Sequence, residues 1–357
     1  MTKKEICIVV GARPNFVKVA PLIRAIEHTD GAAYSLVYTG RADDPTLEPT
    51  LFSDLEMPAP SACLGVDSQR LNEITSRVMA EFDAYLDSHP CDVVIVVDDL
   101  ASTMAAAIVT KKRAIRLAHL VAGTRSFDIT MPKEINRLVI DALSDYLFTA
   151  GVKSNSVATR EQGETSQTYL VGNILMDSLR YNHSRFRQPV IEGIDLATEP
   201  YLVLTINRKA LLADHIALRQ MLDVVVGCGL PVVAPARGET SRFLSEHYHD
   251  CRHLHVVAPL SYLEFGWLTM KAKGIVTDSG NVAEEATFNG VPCITLNSYT
   301  EHQETVSVGT NELVDGDADK LRAAMTKLVM GDWKHGALPD RWDGRTAERI
   351  VQILLAT

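Results

Sequence analysis

Short runs of apolar, largely β-branched residues recur along the chain, and longer amphipathic stretches separate them. In the first half these runs lie at residues 6–10, 35–40, 93–97, 116–123, 146–151 and 168–173. A wholly apolar run such as VVIVV at 93–97 is typical of a strand buried on both faces of a parallel sheet. The segments between the runs are long enough for crossover helices, so the pattern predicts right-handed βαβ units.

The same alternation starts again after residue 200, with apolar runs at 201–208, 231–237, 253–259, 273–280 and 291–298. A chain of 357 residues is long enough to form two cores. We therefore predict an α/β protein with two Rossmann-like, doubly wound domains that face a central cleft. The expected N-terminal domain covers 1–172 and the C-terminal domain 173–343, with a helix at about 344–357 packing back on the first domain.

The net charge and the spacing of the cysteines exclude several classes of function. The formal net charge of −10 argues against broad nucleic-acid or membrane-surface binding, which needs an excess of Lys and Arg on one face. The six cysteines form no CxxC pair, so we expect no disulfide framework, no metal and no cofactor. No apolar run approaches 18 residues, and the chain enters a strand pattern at once, which favours a cytoplasmic location.

Ligands of doubly wound sheets bind at the carboxyl ends of the strands, so the residues after each strand are the candidates. The stretch VVGARPNFVKVAP (9–21) predicts a turn that opens a helix, with Arg13 and Lys18 placed to meet an anion. An ordinary βα turn with solvated basic residues would look similar.

A second such turn lies in TDSGNVAEEATFNGVP (277–292). Ser279 and Gly280 at a helix N-terminus suit a diphosphate, and Glu285, about two turns further on, is placed to reach a ribose diol. As a bare Ser-Gly turn the signal is weak.

Carboxylates and cations with acid–base potential occupy two further segments. Asp98 and Asp99 end a wholly apolar strand, where a carboxylate pair is costly unless it faces a cleft or caps a helix. In MPKEINRLVIDALSDYLF (131–148), Lys133 and Arg137 share one helical face and Glu134 lies beside them. A solvated amphipathic helix would show the same pattern.

Together these stretches resemble the non-hydrolysing UDP-N-acetylglucosamine 2-epimerase family, which has the glycosyltransferase B fold. The resemblance covers nearly the whole chain. It rests on the order and spacing of GARPNFVKVAPL, Asp99 after VVIVVD, HLVAGTRS, MPKEINRLVIDALSDYLF, VGNILMDSL and DSGNVAEEATFNGVP.

The resemblance implies a role for individual residues. A nucleotide sugar would place its diphosphate and nucleoside against Arg13, Lys18, Arg208, Phe265, Ser279, Gly280 and Glu285. The catalytic candidates are Asp99, Glu134, Arg137 and His119. The candidates on the sugar side are Arg41, Arg125, Lys133, Asn207, Arg237 and His302.

The chain also departs from the family pattern. Family epimerases eliminate UDP across C1 and C2 and then add it back, which requires acid and base groups at C2. Here Val121 and Lys133 stand where the family has Glu, and Asn207 stands where it has His. On the sugar side, Arg41 and Arg237 replace uncharged or weakly basic residues.

From these departures we predict glycosyl transfer as the main activity, with cleavage of the anomeric C–O bond and delivery of the sugar to a small-molecule acceptor. The basic residues further predict a phosphate or carboxylate on that sugar. A 2-epimerase of a nucleotide sugar and a non-catalytic nucleotide-sugar sensor are the alternatives. We expect a homodimer in each case.

Overall fold

The computed structural model describes residues 3–357. The chain forms two compact units. Unit 1 contains the residues through Tyr181 together with Asp340–Thr357, and unit 2 is Asn182–Pro339. Helix α7 (Ile174–Asn182) follows the boundary expected from the sequence, and all but its last residue belongs to unit 1.

Unit 1 is built on a seven-stranded sheet whose described pairs are all parallel. Its strands are β1 (Lys4–Val10), β2 (Ala32–Tyr38), β3 (Ala62–Cys63), β4 (Val93–Val97), β5 (Arg116–Ala122), β6 (Tyr146–Thr149) and β7 (Gln167–Leu170). Its helices are α1 (Arg13–Glu27), α2 (Leu51–Leu55), α3 (Leu71–Ser88), α4 (Ala101–Lys112), α5 (Pro132–Leu143), α6 (Val152–Glu161), α7 and α15 (Thr346–Ala356). The strand order is β3-β2-β1-β4-β5-β6-β7.

The strand order of unit 1 reverses direction between β1 and β4. Because β1 and β4 are covered on both faces, Ile8, Val9, Val94 and Val96 are fully buried. The connections that follow β1 and β4 run in opposite directions along the sheet. A crevice therefore opens at the carboxyl ends of these two strands. The candidate chemistry of unit 1 lies at this edge of the sheet.

Unit 2 repeats the architecture with six parallel strands in the order β10-β9-β8-β11-β12-β13. The strands are β8 (Leu202–Thr205), β9 (Val232–Pro235), β10 (Leu254–Val257), β11 (Gly274–Thr277), β12 (Cys293–Thr295) and β13 (Asn311–Leu313). The helices are α8 (Lys209–Ala213), α9 (His215–Val226), α10 (Gly238–Tyr248), α11 (Tyr262–Lys271), α12 (Gly280–Asn289), α13 (Glu304–Ser307) and α14 (Ala318–Met330), with a short 3₁₀ helix at His183–Arg185.

The C-terminal helix α15 belongs to unit 1 and packs against α1. Its amino end is held by α7, where the carboxylate of Asp177 accepts hydrogen bonds from the backbone N–H groups of Thr346 at 3.1 Å and Ala347 at 2.8 Å. Asp177 is 6% exposed, so this cap is an internal contact of unit 1.

The predicted α/β fold with two doubly wound parallel sheets is confirmed, and each predicted strand has its counterpart. Two edge strands, β3 and β13, were not predicted because two and three residues are too few to form a recognisable apolar run. Across residues 3–357, no helix combines the length and the apolar character that a membrane span requires.

Candidate functional site

Asp99 lies just beyond the carboxyl end of β4 and is held by two cations. Its Oδ2 accepts hydrogen bonds from Arg137 Nε at 2.9 Å and Nη2 at 2.6 Å, and its Oδ1 lies 3.1 Å from Lys133 Nζ. Burial opposes ionisation, but the charges of Lys133 and Arg137 outweigh it and hold the pKa of Asp99 below its ordinary value. Asp99 is therefore a carboxylate at neutral pH and can accept a proton.

Helix α5 supplies both cations because of the spacing of its residues. Lys133 and Arg137 are four residues apart and thus lie on one helical face. The two side chains differ in exposure, 62% for Lys133 and 5% for Arg137. Arg137 therefore forms the buried support of Asp99, and Lys133 is the partner that meets solvent.

Glu134 is enclosed and holds a loop. Its Oε2 accepts hydrogen bonds from the N–H and hydroxyl of Ser126 and from Arg137, and its Oε1 accepts one from the N–H of Phe127. Burial alone would raise the pKa of Glu134, but the bonds from Ser126 and Arg137 lower it. With both oxygens bound and the residue 2% exposed, Glu134 orients the loop and Arg137, and its action on the substrate stays a prediction.

His119, the fourth predicted catalytic residue, is also enclosed. The residue is 1% exposed, Nδ1 lies 2.5 Å from Asp141 Oδ1, and Nε2 lies 2.9 Å from the backbone oxygen of Asp98. Neither ring nitrogen faces solvent. Both ring nitrogens are thus occupied by partners within unit 1, and a direct contact of His119 with the substrate stays a prediction.

Arg125 was predicted on the sugar side but is buried in the same network. Its guanidinium lies 2.7 Å from Asp141 and 3.0 Å from Glu161, and it donates to the backbone oxygen of Thr124. Its side chain is only 2% exposed. The ion pairs that draw Arg125 inward involve carboxylates 16 and 36 residues further along the chain, which the sequence pattern did not reveal. Its place on the sugar side stays a prediction.

The turn at the start of α1 is not an open anion site. The N–H groups of Gly11 and Ala12 donate to Asn15 Oδ1 at 3.0 and 3.2 Å, so the side chain of Asn15 takes the place predicted for an anion. Asn15 in turn donates to Asp98 Oδ2 at 2.7 Å. Sequence reasoning missed Asn15, although an amide in the first turn of a helix is a known capping signal.

The two basic residues of that turn have carboxylate partners. Lys18 is 5% exposed and forms a buried ion pair, with its Nζ 2.6 Å from Asp98 Oδ1, and its contact with a diphosphate stays a prediction. Arg13 donates to both carboxylate oxygens of Glu48 and keeps 30% of its side chain exposed. A diphosphate at Arg13 would have to share the guanidinium with Glu48.

Arg41 lies at a cavity of about 630 Å³ next to the carboxyl ends of β1 and β2. The exposed guanidinium lies 2.6 Å from Asp43 and 3.3 Å from Asp67. Like Lys133 with Asp99, Arg41 is thus paired within the protein. Because Arg41 and Lys133 each have a carboxylate partner in the protein, neither needs an anionic sugar for charge balance. These two residues therefore no longer indicate a phosphate or carboxylate on the sugar.

In unit 2, Asp278 organises the loop after β8. Its Oδ2 accepts hydrogen bonds from the backbone N–H groups of Asn207 and Arg208, each at 2.7 Å. Burial raises the pKa of Asp278 above its ordinary value. The side chains of Asn207 and Arg208 are thereby left outside this contact, and the Arg208 guanidinium lies 5.6 Å from the centre of the Tyr299 ring.

Helix α12 presents an open N-terminus. Its N-cap is Ser279, whose hydroxyl makes no capping hydrogen bond, and a side chain added at Gly280 would meet no atom within 4 Å. The first N–H groups of a helix have no partner within the helix, so this end suits an anion. Ser279 and Gly280 stay the candidates for the diphosphate.

The remaining predicted residues of unit 2 differ in accessibility. Glu285 is 9% exposed, and Phe265 on α11 packs partly buried against the unit 2 core. His302 Nδ1 lies 3.2 Å from Glu284 Oε1. Arg237 is exposed at the N-cap of α10. Among residues 3–357, no group of three or more His, Cys, Asp or Glu side chains is arranged to hold a metal ion.

The chain is similar to proteins of known function over nearly its whole length. A family model described as UDP-N-acetylglucosamine 2-epimerase matches residues 24–355. The UDP-N-acetylglucosamine 2-epimerase of Methanocaldococcus jannaschii is 31% identical over 98% of both chains. The UDP-2,3-diacetamido-2,3-dideoxy-D-glucuronate 2-epimerase of Pseudomonas aeruginosa is 30% identical over 98% of this chain and 99% of its own.

A solved structure of the M. jannaschii enzyme has the same fold as this chain. The M. jannaschii UDP-GlcNAc 2-epimerase in complex with UDP-GlcNAc and UDP has a TM-score of 0.87 and 30% identity, covering 99% of this chain and 100% of that one. The resemblance first noted in the sequence is thus confirmed over the full length, and the chain belongs to the UDP-N-acetylglucosamine 2-epimerase family.

Proposed function

We propose that the protein is a nucleotide-sugar 2-epimerase that acts on a UDP-linked 2-acetamido sugar. The M. jannaschii and P. aeruginosa relatives are both named as 2-epimerases, and both named substrates carry an acetamido group at C2. The observation that carries the proposal is the ionised, partly exposed Asp99 between Lys133 and Arg137, in a chain that matches these relatives from end to end.

The prediction of glycosyl transfer was wrong. The full-length relatives are 2-epimerases, and the M. jannaschii structure holds UDP-GlcNAc and UDP. The prediction gave too much weight to Val121 and Lys133, where the family has glutamates. In the structure Lys133 contacts Asp99, so the change at 133 adds a cation to the carboxylate and leaves that carboxylate in place.

The proposed chemistry at C2 uses Asp99 as the proton acceptor. As the C1–O bond breaks, UDP takes its electron pair, the C2–H electrons form a C1–C2 double bond, and the proton passes to Asp99. Re-addition returns UDP to C1 and a proton to the opposite face of C2. We assign that second proton to solvent, because Lys133 lies 3.1 Å from Asp99 and therefore on the same side of the sugar. Asp99 then returns its own proton to solvent, which restores the starting state.

We assign the nucleotide to unit 2. The open N-terminus of α12 at Ser279 and Gly280 supplies N–H groups and the positive end of the helix dipole for the diphosphate. Arg208, whose backbone is fixed by Asp278, adds a full charge for the leaving group. Glu285 and Phe265 stay candidates for the ribose and the base.

The test is interconversion of epimers. UDP-N-acetylglucosamine and UDP-N-acetylmannosamine are incubated separately with the protein, and the proposal expects both to reach the same mixture. UDP-2,3-diacetamido-2,3-dideoxy-D-glucuronate, the substrate named for the P. aeruginosa relative, is tested in parallel to define the sugar. Loss of sugar from UDP only when an acceptor is added, or binding without interconversion, would contradict the proposal.

Assembly and location stay predictions. We propose a homodimer in the cytoplasm, as expected from the sequence. Size-exclusion chromatography with light scattering measures the mass directly. A mass equal to that of one 39.2 kDa chain at working concentration would contradict the dimer.

A further inference from the structure

The residue before Asp99 has an unusual backbone conformation. Asp98 has φ of +59°, in the left-handed region that residues other than glycine seldom adopt. Asp tolerates this region better than most residues, but the conformation still needs surrounding contacts to hold it. Because Asp98 directly precedes Asp99, its backbone determines the position from which the Asp99 carboxylate projects.

Three elements hold the Asp98–Asp99 turn through side chains. From α1, Lys18 and Asn15 bind the two carboxylate oxygens of Asp98 at 2.6 and 2.7 Å. From β5, His119 Nε2 lies 2.9 Å from the backbone oxygen of Asp98. From α5, Asn136 donates to the backbone oxygen of Asp99 at 2.9 Å. Both carbonyl groups of the turn are therefore fixed by side chains rather than by strand or helix ladders.

The His119 ring is itself fixed from behind. Its Nδ1 lies 2.5 Å from Asp141 Oδ1, and Asp141 Oδ2 also meets Arg125 at 2.7 Å and the N–H of Gly123 at 3.1 Å. Burial disfavours the charge, but His119 and Arg125 outweigh it and keep the pKa of Asp141 below its ordinary value. The ionised Asp141 thus sets the orientation in which His119 points Nε2 at Asp98.

We propose that His119 and Asp141 are positioning residues, which lock the left-handed backbone of Asp98 and thereby aim the Asp99 carboxylate at the C2 hydrogen. This inference rests on the proposed function. Here the imidazole is directed at the one carbonyl that joins the strained residue to Asp99.

Substitution of His119 by Asn or by Gln tests the two hydrogen bonds of its imidazole ring separately. His119→Asn keeps a polar atom near the position of Nδ1 and its contact with Asp141, but the shorter side chain cannot reach the Asp98 oxygen. Gln at 119 places its amide nitrogen near the position of Nε2, so it can donate to that oxygen. Asp145→Asn is the control, since Asp145 binds Lys111 and the N–H of Leu117 at the amino end of β5.

We expect His119→Asn to lower kcat for epimer interconversion about 100-fold, as a misplaced catalytic group does, with KM changed by less than about threefold. His119→Gln should keep kcat within about tenfold of the wild type. Asp145→Asn should leave kcat unchanged. Equal activity of the Asn and Gln variants, or a loss confined to thermal stability, would overturn the proposal.

Crystal structures of the two variants provide a measurement independent of activity. We expect Asp98 to keep its left-handed φ in His119→Gln and to leave that region in His119→Asn. If the wild type does not interconvert epimers, the proposed function fails, and these two structures still decide whether His119 holds the turn. A left-handed Asp98 in His119→Asn would show that it does not.

Discussion

Asp99 is the residue on which the proposed reaction depends. Its carboxylate is ionised, accessible over 13% of its side chain, and fixed by two cations that can respond to its change of charge when it takes a proton. A general base must first lie within reach of the proton that it removes, and only then does its pKa matter. The hydrogen bonds from Arg137 hold the Asp99 carboxylate in a fixed position.

Asp99→Asn keeps the shape of the side chain but cannot accept a proton. We therefore expect kcat for epimer interconversion to fall about 10²–10⁴-fold, the usual contribution of general base catalysis. UDP affinity, measured by calorimetry, should stay within about twofold because UDP is assigned to unit 2. A variant with wild-type kcat would remove Asp99 from the mechanism.

Val121 is a second residue with a left-handed backbone, at φ of +73°, and a β-branched side chain makes this strained. At such a position glycine is favoured over alanine, whereas in an ordinary strand the order is reversed. We expect Val121→Gly to be more stable than Val121→Ala by about 1 kcal/mol in denaturant unfolding. Ala118→Gly, in the regular part of β5, should destabilise the protein and serves as the control.

The charges of the site could be predicted from the sequence, but their pairing could not. A carboxylate directly after a wholly apolar strand identified Asp99, and helical spacing identified Lys133 and Arg137. Lys18, by contrast, binds Asp98 eighty residues away, and Arg41 binds Asp67 twenty-six residues away. Such partners are set by the order of strands in the sheet, which local patterns do not contain.

At the scale of secondary-structure elements, the buried strands were predictable because burial on both faces requires continuous apolar runs. The helix N-termini were less well predicted. Helices α1 and α12 both begin directly after a strand, but they differ in capping. The side chain of Asn15 accepts a hydrogen bond from the turn before α1, whereas the Ser279 side chain makes no capping hydrogen bond at the start of α12. One polar residue in the first turn thus decides whether a helix end is open to a ligand.

Helix α12 allows stability and binding to be separated. Gly280→Asp places a carboxylate in its first turn, which should stabilise the helix by about 0.3–1 kcal/mol through the dipole. The same carboxylate occupies the proposed diphosphate position, so UDP affinity should fall at least about tenfold in calorimetry.

Gly280→Ala is the control for Gly280→Asp, because the structure leaves open space at this position. Its UDP affinity should stay within about threefold of the wild type. Unchanged UDP binding by Gly280→Asp would place the diphosphate elsewhere.

The contact between α7 and α15 predicts a pH dependence of stability. Burial raises the pKa of Asp177 from 3.8 to about 6, although the N–H groups of Ala347 and Thr346 act in the opposite direction. A group whose pKa is higher in the folded state stabilises that state when it is protonated. Its contribution is complete below about pH 4 and is lost as the pH rises through about 6.

We expect this contribution to be about 3 kcal/mol between about pH 7 and pH 4. The measurement is denaturant unfolding of the wild type and of Asp177→Asn across this range. The difference between the two free energies of unfolding should shift in favour of the wild type as the pH falls. A constant difference would show that Asp177 has an ordinary pKa.

At the scale of the whole molecule, the two units have the same architecture but different candidate chemistry. The carboxyl ends of the unit 1 strands carry the ionised Asp99 and the cations of α5, and those of unit 2 carry an open helix N-terminus and Arg208. The fold could be predicted from sequence pattern alone. The activity could not, because the substitution at 133 was interpreted without knowing that Lys133 contacts Asp99.

The most direct test of the account is the fate of the C2 hydrogen. UDP-N-acetylglucosamine is incubated with the protein in deuterated water, and C2 is followed by proton NMR and mass spectrometry. If Asp99 removes the C2 proton, the epimer that forms and the substrate that is regenerated both carry deuterium at C2, and Asp99→Asn abolishes this incorporation. Epimer formation, or release of UDP, without deuterium at C2 would contradict the account.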